Sequence, residues 1–358
     1  MLEPRTAVRH LSSYHPPLAG REGMRLDFNE NTMGCSPRVL ARLHTITAEE
    51  LARYPEREPV EALVAAHLGI SSAELLLTNG VDEAIHLLCE TYLEPGDEVV
   101  IAVPTFAMYE ISASATGASI IRVPAEPDFR FPLDSVLGAI SDRTRLIAIA
   151  NPNNPTGAVV AMSELFAICQ AAPKSAVLID EAYYHFYGQT IVGGWLEHPN
   201  LFVARTFSKA HGLAGLRIGI LAGSKEQIPM VRKISSPYNA NAIALACLPA
   251  ALSDEEYITR YVSQIQVGRA RLEGELSAWG IEFWPSHTNF VLMRLGNLNQ
   301  SFIRSMRRRG ILVRDRSSDP GCDGCVRITI GTPEQMDRLV LALRATCDEI
   351  GLKQPEAV

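Results

Sequence analysis

The stretch Arg205-Thr206-Phe207-Ser208-Lys209-Ala210-His211-Gly212-Leu213-Ala214-Gly215-Leu216-Arg217 decides the reading of this chain. It follows the apolar run Leu201 to Ala204 and leads into a second run ending at Leu221. A strand at Leu201 to Arg205, a glycine-containing turn and a strand at Arg217 to Leu221 are therefore expected. Lys209 stands just past the first strand, after two hydroxyl residues. Only five lysines occur in the chain, at 174, 209, 225, 233 and 353. The other four read as helix ends, surface or tail.

The same punctuation recurs upstream. Apolar runs at Glu98 to Val103, Arg145 to Ala150 and Ala176 to Ile179 are each bounded by Gly, Pro, Asn or Asp. Amphipathic stretches such as Asp82 to Leu93, Phe106 to Thr116 and Ser163 to Ala172 lie between them. Near-continuous apolar strands alternating with helices imply an α/β fold, a mostly parallel sheet sandwiched by helices. The last third reads differently. A long helix (Arg260 to Trp279) precedes strands at Glu282 to Trp284, Asn289 to Leu295, Ile311 to Val313 and Val326 to Ile330, with helices near Leu298 to Arg309 and Pro333 to Ile350. That order implies a smaller α+β domain with an antiparallel sheet. The expected division is 51–255 for the large domain, with 1–50 and 256–358 forming the small one. The first fifty residues, turn-rich and little periodic, are expected to wrap onto the small domain or a partner.

With 358 residues, 47% of them hydrophobic and 20% charged, the chain has material for a sizeable core. A net charge of −7 argues against nucleic acid and anionic membranes as main partners. The start lacks the apolar segment of a secretory signal, and Ala242 to Leu252 is too short to span a bilayer. Seven scattered cysteines read as reduced thiols in a cytoplasm. Cys322 and Cys325 form a lone C-x-x-C with no second pair, so no metal is expected.

Ligands of open parallel sheets sit beyond the carboxyl ends of the strands. There the sequence places Asn151 to Gly157, Asp180 to Tyr183, and Thr206 to Lys209. Lys209 reads as a solvated helix-start lysine, or as a lysine that forms a Schiff base with a carbonyl cofactor. Thr206, Ser208 and Arg217 could hold a phosphate, or Arg217 could be a strand-edge charge. Leu77 to Asp82 is a glycine turn feeding a helix, which offers free N–H groups to an anion. Asp180 reads as a cap, or as the carboxylate that keeps a pyridine nitrogen protonated. Tyr183 and Asn154 could bond the ring oxygen of such a cofactor, and Phe106 could stack on its face or sit in the core. The order of these groups, each after a successive strand, carries more than any one of them.

These motifs resemble the fold-type I pyridoxal-phosphate aminotransferases, and among them the histidinol-phosphate aminotransferases. The matching stretches are Leu26 to Asn31, Tyr54-Pro55, Leu77 to Ile85, Pro104 to Tyr109, Asn151 to Gly157, Asp180 to Tyr183, Arg205 to Arg217 and Gly324 to Thr332. The resemblance implies pyridoxal 5'-phosphate as cofactor and ping-pong transamination. It implies that Lys209 carries the cofactor and moves the proton, that Asp180 pairs with the pyridine nitrogen, and that Asn154 and Tyr183 hold the ring oxygen. Gly80, Val81, Asp82, Thr206, Ser208 and Arg217 would surround the phosphate, with Tyr54 reaching it from the partner of a homodimer. Arg327, Arg314, Tyr14 and Asn154 would meet the substrate, expected to be histidinol phosphate with 2-oxoglutarate as acceptor. Thr32-Met33 and Phe106 depart from the family pattern, in which a proline-aromatic pair and a tyrosine stand at these places. Three alternatives stay open: an aminotransferase for aromatic or other amino acids, a lyase or decarboxylase such as those acting on threonine phosphate, and a non-enzymatic binding module.

Overall fold

A computed structural model of the chain describes residues 2–9, 11, 13 and 20–352. Its centre is a seven-stranded sheet in the order Leu75–Thr78, Gly219–Gly223, Leu201–Thr206, Ala176–Asp180, Thr144–Ala150, Glu98–Val103, Ser119–Pro124. The last five pair in parallel. Gly219–Gly223 runs antiparallel to both its neighbours.

Alternation explains why helices cover both faces. Leu146, Ala148 and Ala150 pack with the helices at Gly80–Tyr92 and Met108–Thr116, while Ile147 and Ile149 pack with the helix at Met162–Ala171. Successive side chains of a strand point to opposite faces, so a strand buried on both must be apolar throughout. Register then places the site. Ala150 lies opposite Asp180, and Asp180 opposite Ala204, so the loops after three strands open at one edge.

The second sheet is antiparallel, in the order Arg314–Asp315, Cys325–Thr329, Phe290–Arg294, Glu282–Phe283. Its core takes in Tyr261, Phe302 and Leu339 from the helices at Glu255–Ala278, Asn299–Arg308 and Pro333–Glu349. Met24–Arg25 pairs with Ile311–Leu312. Leu26 accepts the Thr329 N–H through its carbonyl at 2.9 Å. The early chain is thus laced onto this sheet.

Three expectations change. The strand expected at Arg217 to Leu221 lies at Gly219–Gly223, because Arg217 adopts φ +53° and cannot extend it. The strands at Leu75–Thr78 and Ser119–Pro124 were not foreseen. Finally, residues 37–44 and 48–52 are helices, and Val39 and Leu43 pack with Val64 and Leu248. That apolar contact ties residues 37–52 to the large unit, so we propose a boundary near residue 36 instead of 51.

Candidate active site

The edge where the strands end encloses a cavity of about 250 Å³. One wall is an anion cradle. The helix Gly80–Tyr92 begins without a side-chain cap, which leaves N–H groups and a positive dipole end to an outside acceptor. Gly80 has φ +77°, and a Cβ there would come within 2.6 Å of Arg217 Nη2. Only glycine fits this approach without strain. Arg217, itself left-handed, directs Nη2 to Asp82 at 3.0 Å. Thr206 Oγ1 accepts the Ser208 N–H at 3.0 Å, so its own proton is available. Val81, Asp82, Thr206, Ser208 and Arg217 all line the cavity.

Another wall presents an acid. Asp180 is buried at the end of its strand; it accepts the Tyr109 O–H at 2.7 Å and the Ala182 N–H at 2.9 Å. Neither donor is a cation. Burial therefore pushes the carboxyl up to about 6, against the weaker pull of those hydrogen bonds. Burial beside Asp180 also raises the Tyr109 phenol well above its ordinary range, which keeps it a donor. A cationic N–H in the cavity would stabilise the charged form of Asp180.

Between these walls stands the lysine. Lys209 Nζ donates to the Phe28 carbonyl at 3.2 Å and lies 5.8 Å from the Tyr183 ring centroid. The Tyr183 hydroxyl accepts Asn29 Nδ2 at 2.8 Å, and Asn154 accepts Arg327 Nη1. The Tyr183 proton and the Asn154 amide N–H groups are thus left for a group in the cavity. Phe106 lines the same space. A primary amine, a buried acid lacking a cation and an anion cradle in one cavity fit pyridoxal phosphate by their donor chemistry.

The two arginines expected to meet the substrate lie side by side. Arg314 and Arg327 are direct partners across antiparallel strands. Arg327 is 5% exposed; one Nη meets Asn154 and the other the Asp27 carbonyl at 2.8 Å. The Asp27 carboxylate is taken by Arg21 at 2.8 Å. With no counter-carboxylate among the described residues, Arg327 is pulled down to about 9, chiefly by burial and then by nearby Arg316. Arg314 lies 5.1 Å over the Phe28 ring, and its Nη1 is buried without a hydrogen-bond partner.

Of the positions expected from sequence, ten line the cavity: Val81, Asp82, Phe106, Asn154, Asp180, Tyr183, Thr206, Ser208, Lys209 and Arg217. Gly80 abuts Arg217; Arg327 reaches the cavity through its bond to Asn154, and Arg314 lines a separate hollow with Arg307, Ile311 and Asp315 and, among the described residues, touches the site only through the Phe28 ring. Tyr54 is not brought in; it is 78% exposed and its ring lies tilted against Tyr238, centroids 4.4 Å apart. Tyr14 lies outside the described residues. Thr32 and Met33 do not line this cavity, and Met33 packs on the core of the second sheet. Sequence reasoning assigned no role to Tyr109 or Asn29. Both stood in the quoted motifs, three residues after Phe106 and two after Asp27.

Comparison with known proteins gives the family. Residues 21–343 match the model of the family "Aminotransferase class I and II". A histidinol-phosphate aminotransferase of Roseiflexus castenholzii is 37% identical over 360 residues, covering 96% of this chain and 95% of that protein. Histidinol-phosphate aminotransferase 1 of Bacillus cereus is 35% identical over 333 residues, covering 91% and 89%. The crystal structure of histidinol-phosphate aminotransferase from Sinorhizobium meliloti in complex with pyridoxal-5'-phosphate superposes with a TM-score of 0.89 at 26% identity, covering 98% of this chain and 99% of that one.

Proposed function

The chain belongs to the class I and II aminotransferases, with pyridoxal phosphate as cofactor, and from that premise we propose that it transfers the amino group of histidinol phosphate to 2-oxoglutarate. The products are imidazole-acetol phosphate and glutamate, a step of histidine biosynthesis.

When bound, the cofactor supplies an electron sink for the substrate carbon that loses a proton. Asp180 would keep a proton on the pyridine nitrogen, and Tyr109 and the Ala182 N–H hold Asp180 in place. Tyr183 and Asn154 would donate to the cofactor's ring oxygen, and Phe106 would pack on the ring. Gly80, Val81, Thr206, Ser208 and Arg217 would bind the phosphate, with Arg217 turning to it from Asp82. Lys209 would hold the cofactor through its Nζ amine and, once free of it, would serve as the base that takes the proton from the substrate carbon.

The observation that supports a phosphorylated substrate is the Arg314–Arg327 pair. One guanidinium suffices for a carboxylate. Two, side by side and with N–H groups unfilled, suit a dianion with three acceptor oxygens. Bringing two such charges together without a strong anion is costly. We further propose a homodimer in the cytoplasm. The exposed Tyr54–Tyr238 pair supports the dimer, with Tyr54 offered to the partner's phosphate. Among the described residues no helix is long and apolar enough to cross a membrane.

Steady-state kinetics with histidinol phosphate, phenylalanine and threonine phosphate tests the substrate. The expected order of kcat/KM has histidinol phosphate highest. A preference for phenylalanine would make the enzyme an aromatic aminotransferase, and carbon dioxide release from threonine phosphate would make it a decarboxylase.

A further inference from the structure

We propose that Asn29 is a positioning residue: it fixes the direction of the Tyr183 hydrogen bond and so aims the phenol proton at the cofactor's ring oxygen. The inference rests on the reading that the cavity holds pyridoxal phosphate.

Asn29 is 1% exposed and has φ +56°, a left-handed conformation that asparagine tolerates better than most residues. Its backbone is held on both sides. Its N–H donates to Thr329 Oγ1 at 3.0 Å, and its carbonyl accepts Asn289 Nδ2 at 3.2 Å. The buried Thr329 hydroxyl has one proton to place, and Asn29 Oδ1 accepts it at 3.2 Å. With Oδ1 engaged there, Nδ2 is the amide atom that faces the Tyr183 hydroxyl, at 2.8 Å. An amide nitrogen cannot accept. The Tyr183 oxygen must therefore accept from Asn29, and its proton must leave in another direction. Tyr183 lines the cavity, so that direction is the bound ring.

The same device ties the ring oxygen to the substrate side. Arg327 stands two residues before Thr329 on one strand, hence on the same face, and it bonds the Asp27 carbonyl two residues before Asn29. Residues 27–29 thus run from the substrate arginine to the tyrosine.

The test is a pH titration of the visible absorption of the cofactor-loaded protein, comparing wild type with Asn29→Asp, Asn29→Gly, Tyr183→Phe and the Asn29→Asp/Tyr183→Phe double variant. Asp and Gly both tolerate the backbone conformation. An aspartate accepts the Tyr183 proton and turns it away from the ring. The ring oxyanion then loses a donor, and the titration midpoint rises by roughly one to two pH units, the range of one charge-assisted hydrogen bond. Glycine leaves Tyr183 free to donate, so the midpoint moves far less. In the Tyr183→Phe background Asn29→Asp adds little, because it acts through the tyrosine. Equal shifts for Asp and Gly, or a full Asp shift on top of Tyr183→Phe, would overturn the assignment and leave a packing or through-space effect. If Asn29→Asp does not fold, Thr329→Val carries the test. It removes the donor that fixes the amide and raises the midpoint; an unmoved midpoint overturns the proposal. A wild-type protein with no titrating band overturns the cofactor reading itself, and Asn29's role with it.

Discussion

Replacing Asp180 by asparagine separates a catalytic acid from a structural one. The carboxyl rises from an ordinary 3.8 to about 6 on burial, roughly 2 pH units. At 1.36 kcal/mol per unit, the ionised group costs the cofactor-free fold up to about 3 kcal/mol. The folded state holds the proton more tightly than the unfolded chain. Stability from this group is therefore greatest below pH 3.8, falls as pH rises from 3.8 to about 6, and carries the full cost above that. Asparagine keeps the shape and both contacts, since Oδ1 can accept from Ala182 and Nδ2 can donate to the Tyr109 oxygen, which reverses that bond. Cofactor-free Asp180→Asn at pH 8 should thus melt no lower than wild type. With an unfolding entropy near 2.1 cal/mol/K per residue, 3 kcal/mol over this chain corresponds to a gain of up to about 4 °C. The gain should vanish toward pH 4. Turnover with the cofactor should nevertheless fall roughly 100-fold or more, because a preorganised charge at the ring nitrogen is gone. Melting curves by circular dichroism at pH 8 and pH 5, beside kcat, check both halves. A variant that melts several degrees lower at pH 8, with turnover reduced only in proportion to folded protein, would refute the reasoning and leave Asp180 a structural acid.

Other substitutions address the remaining parts of the site. Arg314→Ala should lower kcat/KM for histidinol phosphate by about tenfold or more relative to phenylalanine, since one charge-assisted contact contributes roughly 1.5–3 kcal/mol; unchanged discrimination counts against the phosphate site. Gly80→Ala puts a Cβ 2.6 Å from Arg217 Nη2 and strains a backbone at φ +77°, so cofactor affinity measured by equilibrium dialysis should drop by about tenfold. An unaltered dissociation constant would show that the cradle is not at this turn. Sedimentation should give a dimer, with Tyr54→Phe weakening cofactor binding; a fully active monomer would rule out the shared site.

How much was legible from the residues varied with burial. The strands at 98–103, 144–150, 176–180 and 201–206 are buried on both faces, and such strands must be written as unbroken apolar runs between turn residues. Ser119–Pro124 escaped because it is an edge strand, largely exposed or half-buried, and carries Arg122 within it. Leu75–Thr78 is only four residues long and merges into the turn that follows. Lys209 and Asp180 were legible because each stands at or just past the end of a recognisable strand, and Arg217 because it stands just before one. Tyr109 was not, since an aromatic in the first turn of a helix reads as core, and only the fold shows it donating to Asp180. Asn29 was hidden for a similar reason. Its partners Tyr183, Asn289 and Thr329 lie more than 150 residues away, and no local spacing brings them to mind.

The central claim is that Lys209 carries pyridoxal phosphate in this cavity. Borohydride reduction of the cofactor-loaded protein, followed by proteolysis and mass mapping, tests it most directly. The visible band should disappear on reduction, and one phosphopyridoxyl group should be found on the peptide containing Lys209, with none after Lys209→Ala. A label on Lys174, Lys225, Lys233 or Lys353 instead, or a protein that takes up no label, would contradict it.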